Sequence, residues 1–185
     1  MVDTAPFDIQ PTLVGEKVLL RPLIAEDWEA LFAVASDPTI WAMHPYKDRY
    51  KREVFERFFA DAVASLGAFA IVDQADGEII GSTRFANYVA ATKEIEIGWT
   101  FFACSHWRGG YNRGVKALML RHAFPHVSKI VFQIGADNQR SRTAVERLGA
   151  RHTNSYQREY RGRIDDYVTY KLTAEDAARG ALALV

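Results

Sequence analysis

The chain has 185 residues, 49% hydrophobic and 12% aromatic, and its 23 basic and 23 acidic side chains cancel to a formal net charge of zero. That length and apolar content suit one domain with a real core and exclude a disordered chain, while the balanced charge argues against broad nucleic-acid binding. A single cysteine rules out an intrachain disulfide and suits a reducing cytosol, no apolar run is long enough to span a bilayer, and Met1–Pro6 does not read as a signal peptide.

Lys17 to Leu23 reads as a strand of mixed pattern. Trp28, Leu31, Phe32 and Ala35 at helical spacing predict a helix over Glu26–Ala35, with Pro38 soon after. A second helix over Glu53–Ala64 turns Val54, Phe55, Phe58, Phe59 and Ala62 inward and breaks at Gly67. Ala68–Asp73 and Glu78–Phe85 pair as a hairpin through Asp76-Gly77, with Gly81 marking a bulge. Lys93–Phe102 is the next strand, antiparallel to the hairpin. A glycine-rich loop leads to a helix over Asn112–Phe124, then to a strand over Lys129–Gly135. Asp137 or Asn138 can cap the following helix, whose apolar positions are Ala144, Val145 and Leu148, and Gly149 can end it. Strands Arg151–Glu159 and Ile164–Leu172 are joined by Arg161-Gly162, and Thr173-x-x-Asp176 starts a C-terminal helix. With no repeat and no linker, residues 1–185 read as one α+β domain. Its core covers about 13–172, with a helical tail over 173–185, around a mixed, mostly antiparallel twisted sheet with flanking helices.

The loop is the most informative stretch: Trp107-Arg108-Gly109-Gly110-Tyr111-Asn112-Arg113-Gly114, between a strand and a helix start. Glycines let a backbone approach an anion closely, and the first amides of a helix lack internal partners and sit at the positive end of its dipole. The P-loop pattern fails, because Gly114 is followed by Val115-Lys116-Ala117 and the metal-binding hydroxyl is missing. The three-glycine dinucleotide fingerprint is absent as well. A nucleotide hydrolase is therefore disfavoured.

With the segment Ala136-Asp137-Asn138-Gln139-Arg140-Ser141 through Leu148-Gly149-Ala150, the loop resembles the GNAT superfamily of acyl-CoA-dependent N-acyltransferases. The resemblance is closer to the RimJ/RimL-like branch, where the glycine loop often begins with Trp. The opening Gly15–Leu23 and the closing Asp165–Leu172 look like that branch too, so four motifs in order cover about Leu13 to Leu172. Gly114 departs from it, since related loops usually carry Glu there.

The resemblance implies a fold with a splayed central strand pair and a cytoplasmic enzyme that takes acetyl-CoA as co-substrate and needs no metal. The acceptor would be an amine, on a small molecule or a protein N-terminus; relatives in the branch modify protein N-termini, ribosomal proteins among them. Pantetheine would lie along Trp99, Thr100, Phe101 and Phe102, and the pyrophosphate on Arg108, Gly109, Gly110, Tyr111, Asn112, Arg113 and Gly114, with Arg108, Arg113 and Lys116 as candidate phosphate cations. Asn138 matches the family's CoA-bonding asparagine and Ser141 its serine near the sulfur, although both residue types also belong at a helix start. Glu96 matches a general-base position and Glu94 is the runner-up; ordinary exposed strand carboxylates are the other reading of both. Trp41, His44 and Tyr46 are candidates for the acceptor pocket, against plain core packing.

Other chemistry is weakly supported. Cys104 has no recognisable acid or histidine partner, and Pro125 breaks the helix that would align His122 with His126. Arg151, Arg158, Arg161 and Arg163 read as a solvated strand face before they read as a basic patch. An acyl-CoA-binding protein without turnover is the alternative to an enzyme. No partner chain or membrane is implied, and a homodimer through a strand edge or the C-terminal helix is neither required nor excluded.

Overall fold

The computed structural model describes residues 7–160 and 162–180; Met1–Pro6, Arg161 of the expected turn and residues 181–185 of the expected tail lie outside the described residues. Eight strands form one sheet: β1 (Leu13–Val14), β2 (Val18–Pro22), β3 (Ala68–Asp73), β4 (Ile79–Val89), β5 (Glu94–Phe102), β6 (Lys129–Gly135), β7 (Arg151–Tyr160) and β8 (Arg163–Thr173). Their spatial order is β1-β2-β3-β4-β5-β6-β8-β7. Every neighbouring pair is antiparallel except β5 and β6. That parallel pair is bridged by helix α4 (Tyr111–Ala123), the crossover that parallel strands need.

The helices follow the apolar spacing closely. α1 (Trp28–Ala35) starts two residues later than expected, after a single 3₁₀ turn over Ala25–Asp27, where buried Asp27 accepts both ends of the Arg21 guanidinium and the Ile24 amide. α3 (Arg52–Ala64), α5 (Gln139–Glu146) and α6 (Ala174–Arg179) lie where the pattern put them. Two short elements were not anticipated: β1 and α2 (Pro38–Trp41), the latter capped by the Asp37 side chain with proline in its first turn.

The sheet separates two apolar cores, as strand alternation requires. Phe69 and Ile71 of β3 pack with Val115, Met119 and Leu120 of α4, whereas Ala68 and Ala70 pack with Leu31 of α1, Trp41 of α2 and Phe55 and Phe59 of α3.

Two irregularities in the middle of the sheet make the site. First, β5 and β6 pair only from Glu94 to Glu96 against Lys129 to Val131, and beyond that each continues without the other. Second, the β4–β5 register slips between Ser82↔Phe101 and Arg84↔Gly98, leaving Trp99 and Thr100 opposite Thr83 alone. This is a β-bulge, and Trp99 takes φ 52° there, a region that bulky residues rarely adopt. The extra residue reverses the alternation. Ile95 and Ile97 face the α4 core, but beyond the bulge it is Phe102 that does so, while Phe101 faces α3.

Candidate active site

The divergence of β5 and β6 opens a cleft of about 1350 Å³. Trp99, Thr100, Phe101 and Phe102 of β5 line it, as do Gly109, Gly110, Tyr111, Asn112 and Arg113 of the loop and helix start. Asn138 and Ser141 at the head of α5 also line it, with Glu96, Trp41, His44 and Tyr46. Arg108 and Gly114 do not, and the Arg108 side chain is exposed.

Gly109 and Gly110 have φ of +80° and +85°, a conformation that side chains with a Cβ resist. No side chain caps α4, and its first backbone bond runs from the Gly114 amide to the Gly110 carbonyl, so earlier amides face the cleft end without helical partners. The loop is tethered from behind. Lys17 Nζ donates to the Gly109 carbonyl at 3.0 Å, the Tyr111 hydroxyl to Asp73 Oδ2 at 3.0 Å, and Trp107 Nε1 to the Phe102 carbonyl at 3.1 Å. Tyr111 thus spends its hydroxyl on holding the loop. The cradle fits an anion: preset backbone, free amides and Arg113 at its mouth.

Glu96 is 5% exposed and stands on the face opposite Ile95 and Ile97. Its Oε2 accepts from Asn87 Nδ2 at 2.7 Å and Gln133 Nε2 at 3.1 Å, and Gln133 Oε1 in turn accepts from the Tyr156 hydroxyl. Burial raises its pKa against the lowering effect of Asn87 and the more distant Arg158 and Arg84. Glu94, the runner-up base, is committed elsewhere: Lys171 Nζ at 2.9 Å and Lys129 Nζ at 3.4 Å pair with its Oε1, and the Lys171 bond lowers its pKa. Glu94 does not line the cleft.

The sequence is matched by a model of the acetyltransferase (GNAT) domain over residues 17–151. The chain belongs to the GNAT acetyltransferase family. Among solved structures, a GCN5-related N-acetyltransferase from Brucella melitensis is 23% identical with a TM-score of 0.81, covering 92% of this chain and 82% of that one. RimJ of Mycobacterium smegmatis, solved with CoA-disulfide, is 22% identical with a TM-score of 0.73, covering 94% and 92%. The microcin C7 self-immunity acetyltransferase MccE, solved with acetyl-CoA and AMP, is 14% identical with a TM-score of 0.71, covering 90% and 98%. At these identities the likeness is one of fold. No curated protein matches the sequence.

In this acetyltransferase several expected residues sit differently from the sequence reading. Lys116, offered as a phosphate cation, borders the cleft but is only 5% exposed, and its ammonium donates to Thr100 Oγ1 at 2.6 Å and Thr83 Oγ1 at 3.4 Å. Its spacing with Met119, Leu120 and Ala123, all buried, was the signal that it faces inward. Asn138 caps α5 by accepting the Ser141 amide at 3.2 Å, while the Ser141 hydroxyl makes no hydrogen bond among the described residues. Trp41 belongs to the α1–α3 core and donates from Nε1 to the Ala35 carbonyl at 2.8 Å, so the core reading holds for it even though one edge meets the cleft. His44, pushed well below its usual pKa chiefly by burial, is neutral and accepts the Tyr46 amide at Nδ1.

Cys104 donates to Asp37 Oδ2 at 3.1 Å, and burial with that carboxylate pushes its thiol up to about 11, so it is no nucleophile. His122 Nε2 donates to the Asp8 carbonyl, and both it and His126 stand against Phe7; no group that could hold a metal occurs among the described residues. The three described arginines of the β7–β8 hairpin do not form one patch: Arg151 pairs with Asp176, Arg163 with Asp165, and Arg158 lies over Tyr167 in the cleft wall. No helix among the described residues is long and apolar enough to cross a membrane. The sequence reading missed Arg84, Asn87, Gln133 and Arg140, all of which contribute to or support the cleft.

Proposed function

We propose that this chain catalyses direct transfer of the acetyl group of acetyl-CoA to a primary amine, as one acetyltransferase domain of the RimJ/RimL-like branch acting in the cytoplasm. The carrying observation is that the uncapped Gly109-Gly110 helix start, the unpaired half of β5 and a buried carboxyl all open on one cleft. The residues fit the co-substrate: the loop amides and Arg113 for the pyrophosphate, the backbone of Trp99 to Phe102 for pantetheine, and Asn138 beside it. Bound acetyl-CoA supplies an acyl thioester, whose C–S bond breaks as an N–C bond forms.

Glu96 serves as the proton acceptor. An acceptor ammonium must lose a proton to become the attacking amine, and a carboxyl with a raised pKa lies closer to that of an amine than an ordinary one. Asn87 and Gln133 both hold Oε2, which leaves Oε1 as the acceptor atom. Ser141 has a hydroxyl proton to offer the leaving sulfur. Trp41, His44 and Tyr46 form part of the acceptor wall, where the neutral His44 adds no charge.

The test is a calorimetric titration with acetyl-CoA, with ATP for comparison, followed by turnover on an amine panel. One-to-one binding of acetyl-CoA, with ATP far weaker, supports the donor. Absence of binding refutes the reading, and binding with no turnover on any amine would make the chain an acyl-CoA-binding protein.

A further inference from the structure

Arg84 is a charge for which the fold has no visible use. It lies in the middle of β4 opposite Gly98, is 7% exposed and lines the cleft. Its Nε is buried with no hydrogen-bond partner, and its guanidinium forms no ion pair among the described residues. The rings of Trp99, at 4.7 Å, and Phe58, at 6.0 Å, face the cation, but a π-face offers no lone pair to the N–H fork. Asp61 and Glu96 act on it only at longer range, and although burial lowers its pKa to about 10 it stays a cation at neutral pH. A shielded charge with unmet donors is costly, and an apolar side chain would fill this strand position at lower free energy. The surrounding geometry is also unusual. The bulge that turns Trp99 onto the guanidinium is the one that gives this residue its positive φ.

We propose that Arg84 receives an anionic group of the acceptor, so that the acceptors of this enzyme are amines that also carry a carboxylate or phosphate. The inference rests on the acetyltransferase reading above. A planar guanidinium fork matches both anions in a two-point contact that an ammonium cannot make. Glu96 stands in the same cleft with the opposite charge, so the wall is the electrostatic complement of a zwitterion. Its carboxylate draws the ammonium to the place where the proton must leave, and Arg84 holds the anion. Arg158, over Tyr167 in the same wall, adds to the positive potential on that side.

The experiment compares acceptors matched except for the anion: phenylalanine with phenethylamine, phosphoethanolamine with ethanolamine, and Ala-Asp amide with Ala-Asn amide, the C-terminal carboxyl being blocked in both. Acetyl-CoA affinity is measured on the same samples, and its loss would count against the acetyltransferase reading rather than against Arg84. The expected result is a kcat/KM about 100-fold higher for the anionic member of at least one pair, as for sites built around a polar group. In Arg84→Gln that ratio falls towards one, and in Arg84→Lys it falls part of the way. The first two pairs separate carboxylate from phosphate. Equal rates within every pair, or a ratio that survives in Arg84→Gln, would overturn the proposal. Should no acceptor be acetylated, melting decides. The proposal then stands only if Arg84→Gln melts a few degrees higher than the parent without ligand and loses the protection that phenylalanine or phosphoethanolamine gives. A variant that melts lower, or equal protection in the two proteins, overturns it.

Discussion

Replacing Lys116 by Met tests the burial of a cation whose polar partners among the described residues are both neutral. Its ammonium meets the hydroxyls of Thr100 and Thr83, no acid among the described residues pairs with it, and burial lowers its pKa from 10.5 to about 7. Between those values the unfolded chain binds the proton and the folded chain does not, so stability rises with pH through this window. The linkage relation gives a cost of roughly 4 kcal/mol at pH 7, falling to roughly 1 kcal/mol at pH 9.5. Met fills a similar volume but loses the two hydrogen bonds. Thr83 and Thr100 still bond each other at 2.8 Å, which holds that loss to roughly 1 kcal/mol. Lys116→Met should therefore be about 3 kcal/mol more stable than the parent at pH 7 and nearly equal to it at pH 9.5. Urea unfolding at both pH values reads the difference directly, with tyrosine titration common to both proteins. A variant that is less stable at pH 7, or a difference that does not change with pH, would refute the reasoning. Acetyl-CoA affinity should stay within about threefold if the ammonium serves only the two threonine hydroxyls; a loss near that of a charged contact, roughly tenfold or more, would restore the phosphate role.

Glu96→Gln should lower kcat by about 100-fold or more while leaving acetyl-CoA binding by calorimetry intact. Because the Glu96 pKa is raised in the fold, that variant should also be more stable at neutral pH, with the gain vanishing as pH drops below the ordinary carboxyl value of 4.5; a gain that persists there would contradict the burial argument. Gly110→Asp puts a carboxylate where the pyrophosphate is proposed to sit, and repulsion of about 3 kcal/mol at roughly 5 Å predicts a Kd weaker by about 100-fold. Its melting temperature should fall little, since Asp tolerates a left-handed φ better than most residues and caps helices well. Gly114→Ala should gain about 0.5–1 kcal/mol, a melting rise of roughly 1–4 °C, because its Cβ would meet only Val18 Cγ2 at 3.9 Å inside a helix; a lower melting temperature would show a tighter fit than this. Asn138→Ala should cost about 1 kcal/mol through the lost cap. If Asn138 also contacts CoA, affinity falls beyond what that loss of stability explains, and unchanged affinity would leave capping as its only role.

Much of this protein is local. The spacing of Phe55, Phe59 and Ala62 builds α3, Asp76-Gly77 closes the β3–β4 hairpin, Asn138 caps α5, and paired glycines open α4; each is a matter of period, turn or cap within a few residues. Such signals also placed the anion cradle and Glu96 on one strand-loop-helix unit. The partners of a side chain are another matter, because they come from distant segments. Glu94 and Glu96 share a face by alternation, yet only tertiary pairing gives one two lysines and the other two amides. β8 inserts between β6 and β7 because its apolar Val168, Tyr170 and Leu172 complete the α4-side core, a fact of packing across the chain. The bulge at Trp99 reverses which residues of β5 face α4, and no alternation pattern reveals where the period skips. Periodicity, turns and caps thus determined the elements and the place of the glycine loop, whose likeness to a known family is a matter of motif. Burial and contacts between distant segments alone decided that Lys116 is buried against two threonine hydroxyls, that Glu94 is neutralised and that Arg84 has no ion-pair partner among the described residues.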